Sequence, residues 1–125
     1  MAINNNVSEI VRKAIKLVEE HPRSIAVDVD GCLAQYDGWH GVDVIGDPIP
    51  EVVNQVKAEK AKGTRIIINT TRTNTEQNKG YTSQQLVNRV KEWLVRHKIP
   101  FDEIWAGEGK PIANEYWDDR AVKKP

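Results

Sequence analysis

The chain has 125 residues, enough for one domain, and its 18 acidic residues balance 18 basic ones, so its formal net charge is zero. This balance disfavours a polynucleotide or an anionic membrane as partner, because both are normally bound by clustered lysine and arginine. The single cysteine, Cys32, excludes an internal disulfide, and the sequence shows neither a signal peptide nor an apolar run of membrane-spanning length. We therefore expect a single-domain protein, residues 1–125, that is cytoplasmic and does not associate with a membrane.

The first predicted element is an amphipathic helix in an amino-terminal extension, residues 1–23. Apolar side chains recur at helical spacing from Val7 to Val18, and the pattern ends before Pro22. The extension is expected to pack as part of the domain.

Two aspartates follow the first predicted strand, at the point where the strand ends. Residues 25–29 are apolar apart from Asp28, and Gly31 stops the run directly after Asp30. Open α/β sheets bind ligands at the carboxyl ends of their strands. Since side chains two positions apart in a strand point the same way, both carboxylates are expected to converge on one small volume that would attract Mg²⁺. The alternative is a strand that ends in an Asp-Gly turn, with the second carboxylate merely solvated.

The remaining elements alternate between helices and strands. They are a glycine- and proline-rich, flap-like loop over residues 35–50, a helix over residues 51–61 that ends at Gly63, a strand over residues 65–69, a helix over residues 82–98 that starts with a Thr82–Gln85 capping box, and strands over residues 101–106 and 115–117. Strands separated by helices predict an α/β fold with a mostly parallel sheet flanked by helices.

Polar clusters follow the successive strands or lie in the loops beside them. The four clusters are Asp28 with Asp30, Thr70 with Arg72, Lys110, and Asp118 with Asp119. Taken singly, each has an ordinary explanation: a strand-end hydroxyl, a solvated loop lysine or a helix cap. In this order they resemble the four motifs of the haloacid dehalogenase (HAD) superfamily of phosphatases, over roughly residues 25–122. The Gly-Asp-Pro-Ile-Pro run at 46–50 and the Asp-Asp-Arg-Ala run at 118–121 strengthen the resemblance.

The resemblance implies a three-layer, Rossmann-like (HAD-like) fold without a cap domain, and it implies catalytic roles for four residues. Asp28 is expected to be the nucleophile that forms an aspartyl-phosphate. Asp30 is expected to be the general acid and then the general base. Thr70 would donate a hydrogen bond to a phosphoryl oxygen, and Lys110 would supply positive charge to the phosphate and to Asp28.

The resemblance also implies a metal site and substrate contacts. Mg²⁺ would be held by the carboxylates of Asp28 and the Asp118/Asp119 pair and by the backbone carbonyl of Asp30. Asp118 is favoured as the direct ligand, with Asp119 orienting Lys110 or a metal-bound water. The residues expected to contact the substrate are Gly31, Thr71 and Arg72. For Arg72, pairing with an acid of the site fits equally well, because a guanidinium group suits both phosphate and carboxylate.

The function that follows is Mg²⁺-dependent hydrolysis of a phosphomonoester, with a small phosphorylated metabolite, either a sugar phosphate or a nucleotide, as substrate. A nucleic-acid 3′-end phosphatase is the alternative enzyme, although zero net charge disfavours it. A catalytically idle module that binds phosphate, metal or a partner is the alternative from another class. The fourth strand is expected to be an exposed edge, which either a homodimer contact or the amino-terminal helix would cover.

Overall fold

A four-stranded, all-parallel sheet organises the part of the chain that the computed structural model describes, residues 9–13 and 22–118. The strands are β1 (Ser24–Val27), β2 (Arg65–Ile68), β3 (Glu103–Ile104) and β4 (Glu115–Trp117), and the helices are α1 (Pro50–Ala61), α2 (Ser83–Arg96) and a 3₁₀ turn at Thr71–Thr73. The strand order is β3-β2-β1-β4. The predicted Rossmann-like α/β fold, with helices flanking the sheet, is therefore confirmed.

The two central strands consist of consecutive apolar residues, because helices cover both faces of a parallel sheet. Residues 25–27 of β1 and 66–68 of β2 are all buried. Ile25 and Val27 join a core cluster that also contains Val53 and Val56 of α1 and several side chains of α2. The register pairs Ile25 of β1 with Ile66 of β2. This core fixes the height at which β1, β2 and β4 end.

The start of α2 and the end of α1 have the capping residues that the sequence predicts. Thr82 and Gln85 form the predicted capping box at the start of α2: the Gln85 backbone N–H donates to the Thr82 hydroxyl at 3.1 Å, and the Thr82 N–H donates to the Gln85 side chain at 2.8 Å. Helix α1 begins at Pro50 and is followed by Gly63, whose φ of +92° is the left-handed conformation that favours glycine at a helix end.

Two strands are shorter in the structure than the sequence predicts. The strand expected over residues 101–106 is reduced to Glu103–Ile104. Directly before β3, the Asp102 side chain accepts the Ile66 backbone N–H at 2.8 Å, in the place of a backbone carbonyl. The strand expected over residues 65–69 ends at Ile68.

The loop over residues 35–50 is attached to the body of the domain. The Gln35 N–H donates to the Asp47 carbonyl at 2.8 Å, and the Trp93 indole N–H donates to the Gly46 carbonyl at 3.0 Å. Gly46 lies so close to Gln35 that a Cβ atom there would be 2.1 Å from the Gln35 carbonyl oxygen. Between β1 and α1, therefore, the structure has a short attached loop and no inserted cap domain.

Two expectations fall largely outside the described residues. Of the predicted amino-terminal helix only residues 9–13 are described, and these are helical; Asp119 is not among the described residues. Within those ranges, no helix has both the length and the apolar character that crossing a membrane requires.

Candidate functional site

An open cavity of about 600 Å³ lies at the carboxyl ends of the strands. Four of the predicted catalytic and metal-binding residues line it: Asp28 after β1, Thr70 after β2, Lys110 in the loop after β3, and Asp118 after β4. Thr71 lines it as well. Because parallel strands end at the same edge of a sheet, side chains that lie up to 90 positions apart in the sequence meet here. We call this space the strand-end cavity.

Asp28 stands at the start of a tight turn that ends β1. Its backbone N–H donates to the Trp117 carbonyl of β4 at 2.8 Å, which fixes the main chain, and one of its carboxylate oxygens accepts the Val29 N–H at 2.7 Å. Val29 is fully buried, so the turn is anchored in the core directly after Asp28. Gly31 completes the turn with a φ of +80°, and its N–H donates to the Ala34 carbonyl at 2.8 Å.

Asp30 lies beside a different cavity. Strand β1 ends at Val27, so the alternation that would have aligned Asp30 with Asp28 no longer operates after the turn begins. Asp30 and Arg72 instead line a second space of about 480 Å³ under the 35–50 loop, which we call the flap cavity. Gly31 lines neither cavity.

Arg72 is paired with Asp30 through two parallel hydrogen bonds. Its Nε donates to Asp30 Oδ2 at 2.8 Å and its Nη2 donates to Asp30 Oδ1 at 2.9 Å, while the Arg72 side chain is only 4% exposed. This bidentate geometry is the strong form of an arginine–carboxylate pair. Of the two roles open to Arg72 in the sequence, the structure therefore has the pairing with an acid.

The flap loop completes the surroundings of Arg72. Nη2 also donates to the Val44 carbonyl at 2.8 Å, and the guanidinium carbon lies 4.8 Å from the centre of the Trp39 ring. Nη1 has no hydrogen-bond partner within the described residues. Trp39 is half exposed, so one part of its ring covers the guanidinium group and the rest faces outward.

Thr70 and the 3₁₀ turn that follows it connect β2 to the loop after β3. The Thr70 hydroxyl accepts the Arg72 backbone N–H at 3.2 Å, and Thr70 itself is almost fully buried. The Thr73 hydroxyl lies within hydrogen-bond distance of two carbonyl oxygens, of Thr70 at 3.1 Å and of Trp105 at 2.9 Å. These bonds hold the walls of the strand-end cavity at a fixed separation.

Lys110 is held by an aromatic neighbour on β4. Its Nζ lies 5.4 Å from the centre of the Tyr116 ring. The Tyr116 hydroxyl donates to the Pro111 carbonyl at 2.5 Å and accepts the Ala113 N–H at 3.3 Å. On the other side, the Trp105 indole N–H donates to the Gly109 carbonyl at 2.9 Å. The loop that carries Lys110 is thus attached at both ends.

The donor set of the strand-end cavity suits a hard cation. Carboxylates of Asp28 and Asp118 both line it, and oxygen donors are the ligands that Mg²⁺ prefers. Among residues 9–13 and 22–118 no group of three or more acidic, histidine or cysteine side chains is close enough to hold a metal alone. Mg²⁺ needs no such group, since it commonly takes one or two protein carboxylates and completes its shell with water and phosphate.

The clearest pKa shifts lie at the opposite, amino end of the sheet. A hydrogen bond from the Thr64 hydroxyl, aided by Arg23, lowers the pKa of Glu59 against the opposing effect of burial. The Trp117 indole N–H and then Arg23 lower the pKa of Glu115. In return, Glu115 and Glu59 raise the pKa of Arg23. The three charged residues, Arg23, Glu59 and Glu115, line neither cavity.

Sequence reasoning missed two aromatic residues that support the site. The contact between Trp39 and Arg72 was not predicted from the sequence. Tyr116 was treated only as a strand residue. The available signal was the position of Tyr116 in the strand directly before Trp117 and Asp118, because successive side chains of a strand point to opposite faces of the sheet.

The chain was compared with protein-family models, curated proteins and solved structures. No family model matches it, and no curated protein matches it significantly. A protein from Vibrio cholerae is similar in structure: it is 30% identical, the match covers 81% of this chain and 83% of that one, and the TM-score is 0.54. A conserved protein from Bacteroides thetaiotaomicron is 24% identical over 82% of this chain and 79% of that one, with a TM-score of 0.59.

Part of a larger assembly is also similar in fold. A chain of the Pnkp1/Rnl/Hen1 complex matches 82% of this chain with 30% of its own length, at 18% identity and a TM-score of 0.51. At that identity the likeness shows the fold alone. All these similarities are consistent with a HAD-like phosphatase fold.

Proposed function

We propose that this chain is a HAD-like, Mg²⁺-dependent phosphomonoester hydrolase that acts on a small phosphorylated metabolite through an aspartyl-phosphate on Asp28. The observation that carries the proposal is the meeting of Asp28, Thr70, Lys110 and Asp118 in one cavity at the carboxyl ends of the strands. A nucleophile, a hydroxyl donor, a cation and a second carboxylate are the groups that phosphoryl transfer to a carboxylate requires.

In the first step an oxygen of Asp28 forms a bond to phosphorus as the bond between phosphorus and the ester oxygen breaks. The leaving oxygen takes its proton from the carboxyl group of Asp30. In the second step Asp30 accepts a proton from water, the water oxygen bonds to phosphorus, and the bond to Asp28 breaks, which releases phosphate and restores the carboxylate. The hydrogen bond from Val29 to Asp28 supports this role because it fixes the orientation of the carboxylate before the attack.

The role of Asp30 has a structural condition. Both of its oxygens are bonded to Arg72. To reach the leaving oxygen, one Asp30 oxygen exchanges its bond to Arg72 for a bond to the substrate, while the other bond to Arg72 keeps the carboxyl group near the strand-end cavity. Arg72 is therefore a positioning residue in this proposal.

Thr70 and Lys110 bind the phosphoryl group. The Thr70 hydroxyl donates to one phosphoryl oxygen, and the Lys110 ammonium group offsets the charge of the others and of Asp28. The contact between Lys110 and the Tyr116 ring supports this assignment, since it limits the positions that a long, flexible side chain would otherwise sample.

Asp28 and Asp118, with the Asp30 backbone carbonyl, would hold the Mg²⁺ ion, and Asp119, which lies outside the described residues, would orient Lys110 or a metal-bound water. When bound, the ion neutralises negative charge on the transferring phosphoryl group.

A nucleic-acid 3′-end phosphatase is the second candidate. The structural neighbour that favours it belongs to a complex described as an RNA repair complex. That likeness concerns the fold, so an oligonucleotide belongs in the substrate panel and does not replace the small metabolite as the proposed substrate.

The test is phosphate release from p-nitrophenyl phosphate with Mg²⁺ and with excess EDTA. Asp28→Asn should lower kcat by at least about 10³-fold, because the amide is not a nucleophile. Asp47→Asn is the matched control: Asp47 is exposed, lines neither cavity, and should retain activity. Wild-type activity no greater than that of Asp28→Asn would refute the proposal and leave a phosphate-binding or metal-binding module as the alternative.

A further inference from the structure

The strand-end cavity is larger than a phosphoryl group requires, and small polar side chains line the rest of it. These rim residues are Asn74, Thr75, Glu76 and Ser83 in the segment after β2, and Glu108 in the loop after β3. Trp105 and Trp117 line the same space and supply apolar surface. Hydroxyl, amide, carboxylate and indole groups together are suited to hydrogen-bond hydroxyls and to pack against C–H surfaces.

Acidic side chains outnumber basic ones among the described residues that line the cavity. These residues supply four carboxylates, of Asp28, Glu76, Glu108 and Asp118, one ammonium group, of Lys110, and no arginine. Within the described part of the chain, neither Glu76 nor Glu108 has an ion-pair partner. A second phosphate group on the substrate would therefore lie near unpaired negative charge, whereas neutral hydroxyls would find strong acceptors.

The segment that carries Glu76 is built rigidly. The Asn74 side chain accepts the backbone N–H groups of Glu76 at 2.8 Å and of Gln77 at 3.1 Å. The Asn78 amide donates to the Thr71 carbonyl at 3.2 Å and to the Asn74 carbonyl at 2.9 Å. A loop fixed in this way orders little further when a ligand binds, so its polar groups can contribute to affinity and selectivity.

On the premise of the proposed function, we infer that the rim residues form a subsite for an uncharged, hydroxyl-rich leaving group. The substrate class is then a polyol or sugar phosphate with one phosphate, and Glu76 and Glu108 determine that choice. They accept hydrogen bonds from the hydroxyls and repel the additional phosphates of a nucleotide chain.

The experiment compares kcat/KM for four compounds: p-nitrophenyl phosphate, sorbitol 6-phosphate, thymidine 3′-phosphate and a 3′-phosphorylated trithymidylate. The last two share the reacting group and differ by the internucleotide phosphates. The enzymes are the wild type, Glu76→Gln, Glu108→Gln and the double variant. Glu92→Gln is the matched control, because Glu92 is exposed on α2 and lies outside the cavity.

We expect the wild type to favour sorbitol 6-phosphate over trithymidylate by at least about tenfold at low ionic strength, through repulsion at the rim. The double variant should raise the trithymidylate to thymidine 3′-phosphate ratio by about tenfold, an effect that 0.5 M salt should largely remove. It should also lower kcat/KM for sorbitol 6-phosphate about tenfold, mainly through KM, because bonds to a ground-state hydroxyl are lost. The Glu92→Gln control should change kcat/KM less than about twofold for all four compounds, because Glu92 lies outside the cavity.

Three results would overturn the inference. If trithymidylate is the better wild-type substrate, or if the double variant leaves all ratios unchanged, the rim does not select polyols and a nucleic-acid end becomes the favoured substrate. If the wild type hydrolyses none of the four compounds, p-nitrophenyl phosphate included, the proposed function itself fails and the inference fails with it.

Discussion

The Arg72–Asp30 pair should contribute strongly to stability, and Arg72→Met tests this. Methionine retains much of the apolar length of arginine but removes the two bonds to Asp30, the bond to the Val44 carbonyl and the positive charge. The Arg72 side chain is 4% exposed and that of Asp30 is 17% exposed, so water cannot fully replace the lost partner.

The expected cost follows from this burial. Removing one partner of a buried ion pair typically costs about 3–5 kcal/mol, and the partial exposure of Asp30 places Arg72→Met near the lower limit, at about 3 kcal/mol. Because a domain of this kind has only about 5–15 kcal/mol of stability, the loss should be easily measured. Asp30→Asn should be destabilising too, since it leaves a buried guanidinium without its counter-charge. The double variant should cost about 2 kcal/mol less than the sum of the two single variants.

Urea unfolding at pH 7, followed by far-UV circular dichroism, measures all three variants. Arg65→Met is the control, because Arg65 forms a comparable pair with Glu103 at the surface, and such pairs contribute at most about 1 kcal/mol. A cost for Arg72→Met no larger than that of the control, or additive effects in the cycle, would show that the pair is not a stabilising element.

Three further predictions concern stability. Burial raises the pKa of Asp102, but the Ile66 N–H and the ammonium of Lys60 outweigh it and hold the pKa below its ordinary value. Its contribution is therefore complete above the unfolded pKa of about 3.9 and is lost as pH falls through the lower folded value. When urea midpoints are measured from pH 7 to pH 2, the difference in midpoint between the wild type and Asp102→Asn should shrink as the pH falls below about 3.9. Gly46→Ala should cost about 2 kcal/mol or more in thermal unfolding, because its Cβ would meet a backbone oxygen at 2.1 Å; an unchanged Tm would contradict the geometry. Thr82→Ala should cost about 1 kcal/mol in urea unfolding by removing a capping bond, with Thr82→Ser close to wild type.

Local patterns were sufficient for most of the fold. Residues 66–68 are three consecutive isoleucines, which only a strand covered on both faces would bury together, and the structure buries all three. The Thr82–Gln85 capping box lies within one helical turn, so its signal is complete in four residues. The mostly parallel direction of the strands was predicted from their alternation with helices.

The arrangement of the site required information that no local pattern contains. Asp30 and Arg72 are 42 positions apart, and their pairing depends on how the chain turns after Val27. The alternation rule predicted that Asp28 and Asp30 would share one space, but it applies only while the strand continues, and the two residues line neighbouring cavities. That Thr70, Lys110 and Asp118 meet Asp28 was predicted through the family resemblance; their catalytic roles stay predictions.

The position of β1 between β2 and β4 has a consequence for how the protein acquires its site. The Ser24 backbone N–H donates to the side-chain oxygen of Asn114, which lies 90 positions later in the chain. Asn114 directly precedes β4, which pairs with β1. Sheets dominated by such distant pairings fold slowly. Closing a long loop costs conformational entropy, and this cost arises before the contacts that offset it have formed. Asp118 follows β4 directly, so it reaches Asp28 only when this last pairing forms. During synthesis β1 and β2 can pair early, whereas the cavity that would bind phosphate becomes complete only after residues up to Asp118 have left the ribosome.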